Sequence, residues 1–440
     1  MPMKNIVSLA IWSSILHAAL SFGLDSIPFE PAVDFPFGGH PSALVSSDFN
    51  RDGRVDLAVL DSDTDGVRVL LNQPSGELEA SNPWPTGVAP SALHAADVDG
   101  DSIPDLLVTN AIGNSVSVLR GRGDGTFDAM VELPVGNSPS AVVVADFDGD
   151  GNRDIATANR FDDTIVLLHG SGDGNFAAGE LVAVEGGPIG IATGDLNGDE
   201  KADLVVVVSL DDDAVVVLSG NGDGTFSIGE RFAVGPLPMQ PIVRHIDGDG
   251  FLDIAVAGLN DDAVSVLLGH GDGTFDPALR VETGSFPAAV AAVDLNADGA
   301  LDLSTANSFD DTVSVLLGRG DGSFETQQTA TGLMPMAVAA ADLDRARTPD
   351  LITADALGAS ISSILNGLPP RSLCTGDCNE QGSVALDELV LVVNVALGRQ
   401  PVAACVAADP DGFSSVTIDE VIVAVDNALS GCAAEPVALR

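Results

Sequence analysis

The chain has 440 residues, 65 of them acidic and 18 basic, for a formal charge of −47. So negative a surface repels nucleic acid and anionic membranes. A hydrophobic content of 45% is nonetheless too high for a disordered acidic tail. With 48 glycines and no tyrosine, the composition suits many short strands joined by tight turns.

The first element is a targeting segment. Lys4 is the only charge before an apolar stretch from Ile6 to about Leu20, with small residues Ala18, Ala19 and Ser21 at its end. This is the pattern of a secretory signal peptide over residues 1–24, cleaved near residues 19–25, and it predicts a secreted or surface protein. An uncleaved anchor is the alternative, and no other segment is long and apolar enough to span a bilayer.

From residue 48 a short acidic loop recurs seven times, beginning at Asp48, Asp97, Asp146, Asp195, His245, Asp294 and Asp342. A period of about 49 residues signals a repeat architecture. One unit, residues 140–188, holds four short apolar runs. They are separated by the acidic loop, by Phe161-Asp162-Asp163 and by Gly170-Ser-Gly172-Asp173-Gly174-Asn-Phe176. Four strands with turns between them make one antiparallel blade, and seven units predict an all-β, seven-bladed β-propeller over residues 28–367. The seventh unit stops after its third strand, while Phe29–Phe35 ahead of the first unit resembles the missing fourth strand. The N-terminal strand is therefore expected to close the ring and remove both open edges; an open array is the alternative.

Each loop offers oxygens at positions 1, 3, 5 and 9, the arrangement by which a chain wraps a hard cation such as Ca²⁺. Complete sets are Asp48/Asn50/Asp52/Asp56, Asp97/Asp99/Asp101/Asp105, Asp146/Asp148/Asp150/Asp154, Asp195/Asn197/Asp199/Asp203 and Asp294/Asn296/Asp298/Asp302. Ser102 and Glu200 replace the usual sixth-position glycine, which predicts strain there. The fifth loop keeps Asp247, Asp249 and Asp253 behind His245. The seventh has Ala346 at position 5 beside Arg345 and Arg347 and is expected to bind no metal. The competing reading is that Asp and Asn simply cap tight turns.

The D-x-[DN]-x-D-G-x-x-D loop before a strand, followed by V-S-V-L-L-G-x-G-D-G-T-F, resembles the FG-GAP or VCBS-type repeat, with calcium loops similar to those of the integrin α-subunit propeller. The resemblance implies calcium-stabilised blades on a scaffold that hosts adhesion modules, lectin-like domains and appendages of enzymes. A second acidic set, Asp162-Asp163, Asp211-Asp212-Asp213, Asp261-Asp262 and Asp310-Asp311, is expected on the opposite face, as a ligand-facing rim or as ordinary turns. Arg122-Gly123-Asp124 and Arg319-Gly320-Asp321 spell an adhesion tripeptide by coincidence within the repeat's own turn. Phe127, Phe176, Phe226, Phe275 and Phe324 are expected to pack between strands.

After a linker at residues 368–373 comes a module at residues 374–433. Asp377, Asn379, Gln381 and Glu388 fit an EF-hand-type loop, with a helix from about Leu386 to Leu397 ended by Gly398. A second loop, Asp409, Asp411 and Glu420, follows 32 residues later with Phe413 in place of a ligand. The pair resembles a dockerin module, which implies a cohesin-like partner. Cys374, Cys378, Cys405 and Cys432 all lie here and suggest two disulfides, with a zinc site as the alternative; a disulfide-stapled two-helix cap is the alternative to the dockerin reading. No nucleophile–base pair stands out: His40, His94, His169, His245 and His270 are scattered over the repeats. The chain therefore reads as a secreted calcium-binding interaction protein, not an enzyme, whose partner is an extracellular protein or glycan. A carbohydrate-binding or carbohydrate-active propeller is the alternative.

Overall fold

The computed structural model describes residues 26–368 apart from Asp211 and Arg347. The signal segment, most of the linker, the EF-hand-type loops with Asp377, Asn379, Gln381, Glu388, Asp409, Asp411 and Glu420, and the four cysteines lie outside the described residues.

Seven antiparallel sheets follow one another along the chain. The third is representative: Pro139–Ala145, Asp154–Asn159, Thr164–Gly170 and Phe176–Ala183, paired in sequence order. Every innermost strand opens on a proline, from Pro41 through Pro90, Pro139, Pro188, Pro238 and Pro287 to Pro335. Proline is tolerated there because the first residue of a strand need not donate to the ladder.

The second strands are buried throughout, and their apolar runs serve two neighbours at once. In Asp203–Val208, Leu204, Val206 and Val208 pack toward the third blade, whereas Val205 and Val207 pack toward the fifth. Fully burying such a side chain stabilises by about 1.5–3 kcal/mol. The core is thus divided into seven clusters, one in each seam between adjacent blades.

The seam between the last and first blades has its own cluster, joining Ile352, Ala354 and Ile361 to Phe37, Leu57 and Val59. Val33–Pro36 pairs antiparallel with Ser360–Ile364, and Phe29 bridges Asn366. The N-terminal segment therefore supplies the fourth strand of the seventh blade, as the sequence indicated. The outer strands vary most. In the second and fifth blades the fourth strand shortens to Val131–Pro134 and Leu279–Glu282 after isolated Gly121–Phe127 and Gly269–Phe275 bridges. The first blade gains a short extra pairing, Trp84–Pro85 against Gly66–Asn72.

Candidate functional site: an acidic face and an apolar face

The up-and-down connection of each blade puts the acidic loop on one face of the disc, with the Gly-Asp-Gly turn of blades two to six beside it. The turns between second and third strands, together with the links between blades, lie on the other.

The acidic loops are ladders of side chain to backbone bonds. In the third loop, Asp146 accepts from the amides of Gly149 and Gly151 at 2.8 and 2.9 Å. Asp148 accepts from Asp150 at 3.1 Å, and Asp150 from Asn152 at 2.7 Å. The sixth position is left-handed even where glycine is replaced, with φ of 62° at Ser102 and 65° at Glu200, so the expected strain is present. The fourth position is left-handed too, at Gly149 and also at Arg51, Ala297 and Arg345.

The ninth-position aspartates are fully buried and staple two segments. Asp154 accepts from Phe147 in the loop at 2.9 Å and from Gly170 at the end of the third strand at 2.8 Å. The same pair of bonds recurs at Asp56, Asp105, Asp203, Asp253, Asp302 and Asp350. Burial outweighs these bonds and pushes Asp302 up to about 7, and Asp105 and Asp350 to about 6.

The loops also meet their neighbours. The Gly224 amide of the fourth blade donates to the Phe147 carbonyl of the third-blade loop at 3.0 Å, and Phe226 stands edge-on to Phe147 with centroids 5.8 Å apart. Gly125 and Phe127 repeat this against Phe49. The repeated phenylalanines thus pack across blade seams as well as between strands.

Oxygen ligands converge unequally. In the second loop Asp97, Asp99 and Asp101 bring carboxylate oxygens within 4.8 Å of one another, as do Asp146, Asp148 and Asp150 in the third. Asp342, Asp344 and Asp350 also converge in the seventh loop, although it lacks the fifth-position ligand. Loops one, four and six carry Asn50, Asn197 and Asn296 at position 3, and no triad of acidic atoms forms there among the described residues. In the first, Asp52 is ion-paired with Arg54; in the fourth, Asp199 stands 3.5 Å from Lys201. In the sixth, Asp298 accepts from Asn296 Nδ2 at 2.9 Å. In the fifth, Asp247 and Asp249 cap the turn, and His245 Nδ1 lies 2.7 Å from the Phe251 carbonyl. The bundled carboxylates of loops two and seven suit a hard dication, which would be held by oxygens that otherwise repel one another, whereas His169 also joins Asp148 and Asp154 in loop three.

The opposite face combines two features. Outside the seventh blade, the last acid or amide of the second-to-third strand turn fastens the following interblade link: Asp163 accepts from Gly187 at 2.8 Å, Asp311 from Met334 at 2.8 Å, Asp262 from Phe286 at 3.0 Å and Asp213 from Leu237 at 3.2 Å. Part of the second acidic set is therefore structural. Two residues after the second strand, however, the same turns raise an apolar side chain in five of the seven blades, the first and fifth carrying Asp63 and Asn260 there. Ile112, Phe161, Phe309 and Leu357 are 72, 63, 64 and 69% exposed, and Leu210 joins them. Val88, Leu237 and Leu333 in the links add to this crown, and Phe286 stacks on Phe309 with centroids 3.9 Å apart.

The signals for some of these features were present in the sequence. Glycines at position 4 in loops two to five mark the left-handed turn, and the apolar crown residues keep the repeat's register. Only their exposure needed the fold.

Residues 48–108, 97–157, 146–206, 245–305 and 294–353 match the FG-GAP-like repeat model. The matched segments span more than half of the chain, which belongs to that family. No curated protein matches it in sequence. Among solved structures, BBS1N in complex with ARL6DN is similar with a TM-score of 0.57 and 14% identity over 77% of this chain and 97% of that one. A streptogramin B lyase is similar with a TM-score of 0.53 and 14% identity over 77% and 97%. A putative 6-phosphogluconolactonase from Bacteroides uniformis has a TM-score of 0.54 and 18% identity over 67% and 87%. These likenesses concern the propeller fold.

Proposed function

We propose that the protein is a secreted or surface-held interaction module whose blades are stabilised by Ca²⁺ and whose apolar crown receives an extracellular protein. The crown carries this reading. Large apolar side chains exposed together on one face, at one register of the repeat, are costly to leave in water unless a partner covers them. The acidic loops have a different part, holding the turns of the other face closed. Catalysis has no place in this reading. The described histidines are spread over four blades, and Trp84, the natural ring for stacking a sugar, stands edge-on to Phe127 with centroids 5.7 Å apart. The C-terminal module is assigned a docking or capping role on its sequence alone.

The test is a screen of extracellular proteins and glycans against the full chain and a Phe161→Ser/Phe309→Ser/Leu357→Ser variant, each with Ca²⁺ and with excess EDTA. A protein partner bound by the parent and released by the variant supports the reading. Hits confined to glycans, or equal binding by the variant, would overturn it in favour of a carbohydrate-binding propeller.

A further inference from the structure

The third acidic loop has a histidine beside it that its siblings lack. His169 is the penultimate residue of Thr164–Gly170, at a register where the other blades carry Leu71, Arg120, Ser219, Leu268, Leu317 and Leu365. Its Nδ1 stands 3.1 Å from Asp148 Oδ2 and 3.8 Å from Asp154 Oδ1. That nitrogen is shielded from solvent and makes no aligned hydrogen bond. An imidazolium paired with Asp148 would point an N–H along the short approach. Here the nitrogen sits beside both carboxylates without being directed along a hydrogen bond.

The ring is fixed in this pose. A Cβ at Gly224 of the next blade would fall 2.8 Å from the ring's Cε1, and one at Gly179 would fall 2.7 Å from Cδ2. Glycine at both positions leaves a slot the width of an imidazole. Two ligands each bound at about 2.1 Å stand about 3–3.5 Å apart at octahedral or tetrahedral angles, close to the spacing seen. Asp148 also groups with Asp146 and Asp150, so further oxygens lie at hand. Among the described residues, no other histidine belongs to such a group.

We propose that the third-blade loop is a mixed nitrogen–oxygen metal site, in which His169 Nδ1, Asp148 and Asp154 hold a borderline dication such as Zn²⁺ in preference to Ca²⁺. Imidazole is a ligand for zinc and its neighbours, whereas Ca²⁺ is bound by oxygen alone. The site is independent of the partner bound by the crown and of Ca²⁺ at the other loops.

Cobalt tests it, because its visible absorption reports nitrogen-containing, low-coordinate sites. The full chain, stripped by chelator, is titrated with Co²⁺ beside His169→Leu, the side chain that four sibling blades carry, and His169→Gln. The parent should give a saturable visible band that Zn²⁺ abolishes and millimolar Ca²⁺ does not. Both variants should need at least about tenfold more Co²⁺, as loss of a ligand entails. Bands from the C-terminal cysteines would persist in the variants and cancel in the comparison. If a variant that melts like the parent in EDTA keeps the parent's Co²⁺ affinity, or if Ca²⁺ displaces Co²⁺ from the parent, the proposal is wrong.

Discussion

Asp302 shows why the ninth position of the repeat tolerates so little variation. Its two oxygens accept from Leu295 at 2.8 Å and Gly318 at 2.8 Å inside the protein. Replacing it with alanine orphans two buried amides, each costing about 1–3 kcal/mol. The denaturation midpoint of Asp302→Ala in EDTA should fall accordingly, whereas Asp124→Ala, on an exposed turn, should shift it far less. Acid should act in an unusual direction. Because burial raises Asp302, Asp105 and Asp350 to about 6–7 in the folded state, the folded protein binds more protons than the unfolded chain above pH 4. Metal-free stability contributed by these groups is therefore present at low pH and lost as pH rises through 6–7. The aspartates whose values are lowered, such as Asp173 and Asp223, lose their contribution only as pH falls below about 4. In EDTA the melting temperature should rise as pH is lowered from 7.5 to 5; a fall over that range would contradict the assignment. Ca²⁺, which favours the carboxylate, should flatten the trend.

The elements were legible in the sequence wherever one residue type had one possible use. Seven acidic loops at a fixed period, four short apolar runs per unit and an orphan strand at the start led to the closed ring. What stayed hidden depends on contacts between units distant in sequence. The amide of Gly224 meets Phe147, and Asp163 fastens Gly187, through backbone atoms that carry no sequence signature. Nor do Arg51, Ala297 and Arg345 announce left-handed backbone, as glycine would. The candidate metal residues of the second and third loops were named from spacing, but His169 was not and the seventh loop was expected to bind no metal; which loops gather their ligands depends on neighbours such as Arg54 and Lys201. Two element-scale tests follow. A Cβ on Gly170 would lie 2.0 Å from the Arg153 carbonyl, so Gly170→Ala should lower the melting temperature although glycine there has no left-handed angle to satisfy. Deleting residues 26–36 should leave Ser360–Ile364 as an open edge and cause aggregation or a lower melting point; a monomeric product with the parent's melting point would refute closure by this strand.

At the scale of the whole propeller, a core divided among seven seams makes stability the sum of interfaces between neighbours, as in other repeat proteins. A cation that bridges a loop clamped by the next blade stiffens a seam and not only a turn. Each site filled at 100 times its Kd adds about 2.7 kcal/mol. Melting in millimolar Ca²⁺ against excess EDTA should therefore show an upward shift, and an unchanged melting point would remove calcium from the account.

Closure by the N-terminal strand also orders events during synthesis. Asp34 accepts a hydrogen bond from Ser362 at 2.7 Å across 328 residues of chain, so the first of the described strands is among the last to find its partner. Blades one to six can assemble in turn as they emerge, each templated by the one before. Residues 33–36 must wait, unpaired, until residue 364 has left the ribosome. A nascent chain halted before that point holds a six-bladed arc with two sticky ends, and it is at this stage, rather than in the finished disc, that the protein is most exposed to pairing with another copy of itself.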